Sequence, residues 1–333
     1  MRPFRPWRHV RRRPGLVAAV CVLFLLTAGD ACAETWRLGT WKTAQTLQPY
    51  AYAGAPGEDV EIRVFPFTNP ADQKAALLAG SLDMAGTTLA LAIQAAARGE
   101  PVVLVASLCG KCSALVVGRD SGITTPEQLR GKRIAYVPGT MHEVLLRDLL
   151  RRHGLDVRRD VQLLRVDFFD MNTALARGDA DAYLSGEPLP AQAVRRGVGR
   201  ILAYPYFDDS IGTINSGLLV HKELVTRDPE RVRRMVAAHK RATEQLCAEP
   251  QGWLDAAARL TGLERELLEQ AASNMELTWD MDTAFLRRLA ALGARMKALG
   301  LIAREPDYAA LVDTRFVDAL RAPSVGDSAP EVR

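Results

Sequence analysis

The stretch Ala76 to Val105, AALLAGSLDMAGTTLALAIQAAARGEPVVLV, sets a helix end, a strand, a sharp turn, a second helix and another strand one after the other with almost no spacer. Strands this short and apolar, alternating with helices, bury both faces only as a layered α/β unit. Gly80 stands where a helix end needs a left-handed residue. Leu82, Met84 and Ala85 read as strand, and Gly86-Thr87-Thr88 turns directly into the apolar helix Leu89 to Ala97. Thr87 or Thr88 can cap that helix, and a capped helix start at the carboxyl end of a strand is a ready site for an anion or carbonyl. The pattern recurs in Ala174 to Gly197, ALARGDADAYLSGEPLPAQAVRRG: Gly80 pairs with Gly178, Asp83 with Asp181, Gly86 with Gly186 and Arg98-Gly99 with Arg196-Gly197. Two such units imply two lobes facing a shared cleft.

The N-terminus has to be set apart before charge is weighed. Arg2, Arg5, Arg8 and Arg11 to Arg13 form a basic region, Leu16 to Ala28 an apolar one, and Ala31-Cys32-Ala33 a small-x-small cleavage site. This is the pattern of a cleaved secretory signal peptide over residues 1–33, with an apolar run too short for a membrane span. Its loss takes the formal charge from +4 to about −1, because six arginines and Asp30 leave with it. The basic balance of the whole chain therefore says nothing about nucleic acid. The exported chain keeps Cys109, Cys112 and Cys247, an odd count. The simplest assignment is a local Cys109–Cys112 bridge with Cys247 as a buried free thiol on a helix.

Along the rest of the chain, Glu34 to Gly39 reads as the first strand and Thr40 to Thr46 as a cleft loop, which makes Trp41, Lys42 and Thr43 candidates for ligand contact. Val60 to Phe65 alternates as a strand, and Asn69-Pro70 starts a helix expected to bury Ala75, Leu77 and Leu78. Val102 to Ala106 is a strand that Ser107 to Ser113, SLCGKCS, breaks before Ala114 to Gly118 resumes; the break reads as a crossing between lobes. Thr140-Met141-His142-Glu143 fits a capping box at the start of a helix. Phe168 to Met171 is a cleft-edge loop, Ser210 to Val220 a return strand, and Asp228-Pro229 opens helical patterns that continue to about Leu320. The expected division is 34–113 for the first part of lobe 1, 114–214 for lobe 2 and 215–321 for the return, with 322–333 a disordered tail.

The order of AALLAGSLDMAGTT, ARGEPVVLVAS, GITTPEQLRGKRIAYVPGT and ALARGDADAYLSGEP resembles the periplasmic substrate-binding proteins of ABC importers, in the branch that handles nitrate, sulfonates, taurine and thiamine pyrimidines. The resemblance covers about Thr35 to Leu246. It implies the two-lobed periplasmic binding protein fold (type II), each lobe a mostly parallel α/β sheet flanked by helices, with two crossover strands as the hinge. It further implies a monomer that captures a small-molecule ligand by closing and delivers it to an inner-membrane permease, with no cofactor. Carried over by motif, the contacts would be Trp41, Lys42, Phe67, Thr87, Thr88, Cys112, Ser113, Gly139, Thr140, Met141, Asp170, Glu187 and Asn215. Thr87, Thr88 and Thr140 suit an oxyanion, whereas Asp170 and Glu187 favour a ligand with an amine, ring N–H or hydroxyl donors, or else pair with Lys42 or Arg177. Gln48 to Asp59 replaces the stretch usual between the first two strands, so this cleft wall is altered.

Cys109-Gly110-Lys111-Cys112 is the most distinctive departure. A CxxC in an exported chain suits a disulfide, a redox pair, or half of a copper or zinc site completed by Met141 and His142. Three functions therefore compete: solute binding for import, a periplasmic metal or redox module, and an enzyme like the pyrimidine synthases that resemble this branch. The export signal argues against the last, since those synthases work in the cytosol.

Overall fold

The computed structural model describes residues 34–52 and 60–321. The signal peptide expected over 1–33, part of the altered Gln48 to Asp59 stretch and the tail 322–333 lie outside the described residues. The chain begins with β1 (Glu34–Trp41), β2 (Val60–Phe67), α1 (Pro70–Leu78), β3 (Met84–Thr88), α2 (Leu89–Ala97) and β4 (Val102–Lys111). It crosses into β5 (Ser113–Gly118), β6 (Arg133–Tyr136), α3 (Met141–Arg152), β7 (Gln162–Arg165), α4 (Met171–Ala176), β8 (Ala182–Gly186), α5 (Leu189–Arg195) and β9 (Gly199–Ala203). It returns through β10 (Ile214–His221), α6 (Lys222–Arg227), α7 (Pro229–Ala248), α8 (Pro250–Thr261), α9 (Arg265–Ala272), β11 (Met275–Leu277) and α10 (Thr283–Ala298).

Two sheets result, ordered β2-β1-β3-β10-β4-β11 and β7-β6-β8-β5-β9. Apart from β11 the two orders are the same, and in each the fourth position is filled by a strand arriving from the other lobe, β10 in the first and β5 in the second. These arriving strands run antiparallel to both neighbours, while β2-β1-β3 and β7-β6-β8 are parallel. The sheets are therefore mixed rather than mostly parallel, because each lobe accepts a strand of opposite direction. β5 is buried on both faces: Leu115 and Val117 join one core of the second lobe, Val116 the other.

The sequence repeat has a structural counterpart. In lobe 1 the Asp83 carboxylate accepts from the Arg37 backbone N–H at 2.8 Å and from its guanidinium at 3.2 and 2.8 Å; Asp181 does the same to Arg133 at 2.8, 3.2 and 2.8 Å. Each Asp amide returns a bond of 2.8 Å to the arginine's carbonyl. These clamps lock β1 to the turn before β3 and β6 to the turn before β8, and Gly80 and Gly178 end the preceding helices at φ of 71° and 73°. The two third strands, 84–88 and 182–186, correct one equivalence: Gly86 lies level with Leu184, and Gly186 holds the place of Thr88. Reading from glycine to glycine had slipped the match by two residues.

Other expectations shift for local reasons. α1 is capped by Asn69, whose side chain accepts from the Ala71 N–H at 2.8 Å, but Ala75 is exposed and Gln73 faces inward with Leu77, its amide donating to the Gly86 carbonyl at 2.9 Å. SLCGK does not break β4, because residues 107–111 pair with β10 and β11. The crossing is confined to Lys111 and Cys112, both left-handed at φ of 55° and 71°. The return strand begins only at Ile214.

The clamps give a graded prediction. Asp83 is 7% exposed and also holds Arg231 at 2.8 Å, whereas Asp181 is 29% exposed. Asp83→Ala should cost about 3 kcal/mol in urea unfolding and Asp181→Ala about 1 kcal/mol, since removing one partner of a buried pair leaves the other unpaired. Equal losses would contradict the difference in burial.

Candidate functional site

Two helix starts face each other across the cleft. α2 follows β3 without a loop, and the Thr88 hydroxyl accepts from the Leu91 N–H at 3.3 Å, leaving its own hydrogen free to donate. At α3 the expected capping box is not made. The Thr140 hydroxyl donates backwards to the Val137 carbonyl at 2.7 Å, and Glu143 takes the N–H of Gly139 at 2.8 Å and the Arg147 guanidinium at 2.8 Å. Gly139, at φ 74°, turns its amide into reach of Glu143 and so displaces the reciprocal bond. No side chain caps the first turn of α3.

Thr88 and Thr140 line one cavity of about 40 Å³ between the lobes. Lobe 1 adds Trp41, Thr43, Gln45 and Thr46 from the first loop and Asn215 and Ser216 from β10; lobe 2 adds His142 and Phe168. Cys109 and Cys112 close the hinge side. Phe168 meets Trp41 edge-on at 5.5 Å between ring centres and stacks on His142 at 6.3 Å. No lysine, arginine or carboxylate lines this chamber. Burial pushes His142 down to about 4, so its ring is neutral, offering one N–H and one lone pair. Neither ring nitrogen has a hydrogen-bond partner among the described residues, and the same is true of Trp41 Nε1 and Gln45 Oε1. A buried polar atom without a partner costs about 1–3 kcal/mol, so these atoms ask for a guest. Gly186 is required for space: a Cβ there would lie 3.1 Å from His142 Nε2 and 3.4 Å from Cys112 Sγ.

Trp41, Thr88, Thr140 and Asn215 thus meet in the chamber. Lys42 and Phe67 lie instead on a separate outer cavity, and Asp170 is exposed and lines neither. Met141 is buried in the core of lobe 1, which also takes it out of the four-ligand metal set. Among the described residues no group of three or more His, Cys, Asp or Glu is placed to hold a metal ion. Thr87, Ser113, Gly139 and Glu187 are behind or beside the chamber rather than on it. Gln45, Thr46, Phe168 and Ser216 line the chamber without standing among the sequence candidates, although Gln45, Thr46 and Phe168 fall in the cleft loops Thr40 to Thr46 and Phe168 to Met171.

The cysteines are free thiols, so the expected bridge is not formed, and Cys247 is exposed on α7 rather than buried. Asn215 Nδ2 donates to Cys112 Sγ at 3.3 Å and to the Lys111 carbonyl at 2.8 Å, which holds the crossing in its left-handed turn. Burial pushes Cys109 up to about 12 and Cys112 well above the usual thiol value. Glu187 is also buried; its carboxylate accepts from the Ala191 N–H at 3.1 Å, and it pairs with neither Lys42 nor Arg177. Its amide donates to the Cys112 carbonyl at 2.7 Å and its carbonyl accepts from Gln45 Nε2 at 2.9 Å, so it ties the crossing to both lobes.

Burial raises Glu187 to about 7 from an ordinary 4.5. The folded chain therefore holds a proton that the unfolded chain releases, and stability present at low pH is lost as pH climbs from 4.5 through 7, by on the order of 3 kcal/mol. Denaturant unfolding of wild type and Glu187→Gln between pH 5 and 8 should show the gap moving in favour of the variant as pH rises. A constant gap would count against a buried, protonated Glu187.

The NMT1/THI5-like family model matches residues 56–252 of the chain. A Brucella abortus protein called "Putative binding protein" is 30% identical over 221 residues, 66% of this chain and 67% of that one. The 4-amino-5-hydroxymethyl-2-methylpyrimidine phosphate synthase of Schizosaccharomyces pombe is 24% identical over 229 residues, 64% of this chain and 65% of its own length. Among solved structures, the alkanesulfonate-binding protein SsuA of Xanthomonas axonopodis pv. citri bound to MOPS superposes with a TM-score of 0.75 at 21% identity, covering 84% of this chain and 98% of that one. That likeness establishes the two-lobed, type II periplasmic-binding-protein fold.

Proposed function

The chain belongs to the NMT1/THI5-like family, and from that premise we propose that it is the extracytoplasmic solute-binding component of an ABC importer, exported by the 1–33 leader and without chemistry of its own. The observation that carries this reading is the interlobe chamber, walled from both lobes and lined by polar atoms that have no partner among the described residues. The groups left open are mostly donors: Trp41 Nε1–H, the Thr88 hydroxyl hydrogen, one His142 N–H and the first amides of α3. They favour a small polar organic or oxyanionic head group. The absence of a lysine or arginine from the lining fits a neutral or singly charged solute, whose charge the two helix starts stabilise by about 0.3–1 kcal/mol each.

The thiols support capture over catalysis. A nucleophilic cysteine needs a lowered pKa, and burial drives Cys109 and Cys112 the other way. Hinge closure is supported by an ion pair between lobes: Arg295 on α10 meets the buried Asp148 of α3 at 2.5 Å.

Two substitutions test the reading against a panel of sulfonates, nitrate and pyrimidines screened by calorimetry. Gly186→Ala should weaken the bound solute at least about tenfold, because its Cβ, 3.1 Å from His142 Nε2, pushes on a ring that lines the chamber. Arg295→Met touches no chamber atom. It should weaken binding about three- to tenfold and reduce the ligand-induced contraction seen by X-ray scattering, since closure loses one contact. If no member of the panel binds and no solute copurifies, the reading is wrong.

A further inference from the structure

A second cavity, of about 360 Å³, opens at the outer edge of the cleft. Lys42, Phe67 and Thr68 line it from lobe 1, and Phe169, Pro188 and Leu189 from lobe 2. It borders the inner chamber along adjacent pairs of residues that line one space each. Trp41 faces the chamber and Lys42 the outer cavity; Phe168 faces the chamber and Phe169 the outer cavity. Trp41 and Phe168 touch edge-on at 5.5 Å, and Phe168 and Phe169 at 5.0 Å, so a run of three rings leads from the lining of one space to the lining of the other.

The outer cavity is lined mostly by apolar side chains, with Lys42 the one charged group and Thr68, Gln192 and Thr261 the polar ones among the described residues. Phe169 is left 43% exposed there, a large ring only partly covered by the described residues. Lys42 has no ion-pair partner among the described residues. The inner chamber, at about 40 Å³, takes only the few atoms of a head group.

We propose that the solute is amphiphilic: a compact acceptor-bearing head enters the inner chamber, and an aryl tail lies in the outer cavity between Phe67 and Phe169, with the Lys42 ammonium over or beside its ring. This rests on the reading of the cleft as the capture site and names the class of solute it takes. Ring stacking, apolar burial and a cation near a π face all act on the same tail. The division also explains why Lys42 and Phe67 lie apart from the threonines: they serve the tail and the threonines serve the head.

Calorimetry with matched probes tests this. Methanesulfonate and benzenesulfonate, acetate and phenylacetate, and a pyrimidine with and without a benzyl group share a head and differ in the tail. For whichever head binds, the aryl member should bind at least about tenfold more tightly, as burial of a ring predicts. In Phe169→Ala the ratio of the two affinities should fall to about one, while the melting temperature of this surface variant stays near that of wild type. An aryl member no tighter than its short partner overturns the proposal, as does a ratio that survives Phe169→Ala, and in both cases capture by the cleft stands. Failure of every head to bind removes the capture reading and this inference together.

Discussion

Each lobe is completed by a strand that belongs, by chain order, to the passage between lobes. β10 inserts between β3 and β4, and β5 between β8 and β9, so neither sheet is whole without its neighbour's crossing. Cys112 concentrates that constraint in one residue. Its amide donates to the Asn274 carbonyl at 2.7 Å, its carbonyl accepts from Glu187 at 2.7 Å, and its left-handed backbone turns β4 of one sheet into β5 of the other. Because β3 and β8 flank these inserted strands, the loops at their carboxyl ends are carried to the same gap. The position of the chamber follows from strand exchange before any side chain is considered.

What the sequence revealed was whatever repeats locally. Asp83 and Asp181 were legible as a pair because each sits a fixed few residues after a helix-ending glycine, and the geometry they share reproduces bond for bond. The Asn69-Pro70 start and the span of α2 were legible for the same reason, since caps and apolar runs act within a few residues. The course of β4 was not. Ser107, Cys109 and Gly110 read as a break, yet they continue a strand because β10 and β11 supply hydrogen bonds from more than a hundred residues away. The reciprocal cap at Thr140 failed on a similarly unseen detail, the positive φ of Gly139, which redirects Glu143 by one residue.

The site divided along the same line. Thr88 and Thr140 were found because helix starts announce themselves, and Trp41 because it follows the first strand. His142 stood in the sequence only as a candidate metal ligand beside the CxxC, since nothing in Thr140-Met141-His142-Glu143 marks a ring that packs on Phe168 with neither nitrogen bonded among the described residues; only the fold brings Phe168 and Gly186 against it. Asp170 and Glu187 were weighed as acids beside the ligand. One is exposed and the other is spent on the crossing, and that removes the repulsion they had been expected to place on an anion.

The chamber's chemistry links capture to closure. On the proposed reading, Trp41 Nε1, the His142 ring and Gln45 Oε1 would bond to water in an open cleft; in the closed chamber these atoms have no partner among the described residues. At about 1–3 kcal/mol for each, closing on nothing is opposed by several kcal/mol. The contacts between lobes work against this cost, with Arg295 on Asp148 and Gln45 on the Glu187 carbonyl. A solute that satisfies even two of the open atoms would lower that cost and favour the closed arrangement. The same burial keeps His142 uncharged until pH approaches 4. On the proposed reading, a chamber with no lysine, arginine or carboxylate in its lining among the described residues would bind on closing and let go on opening without moving a proton.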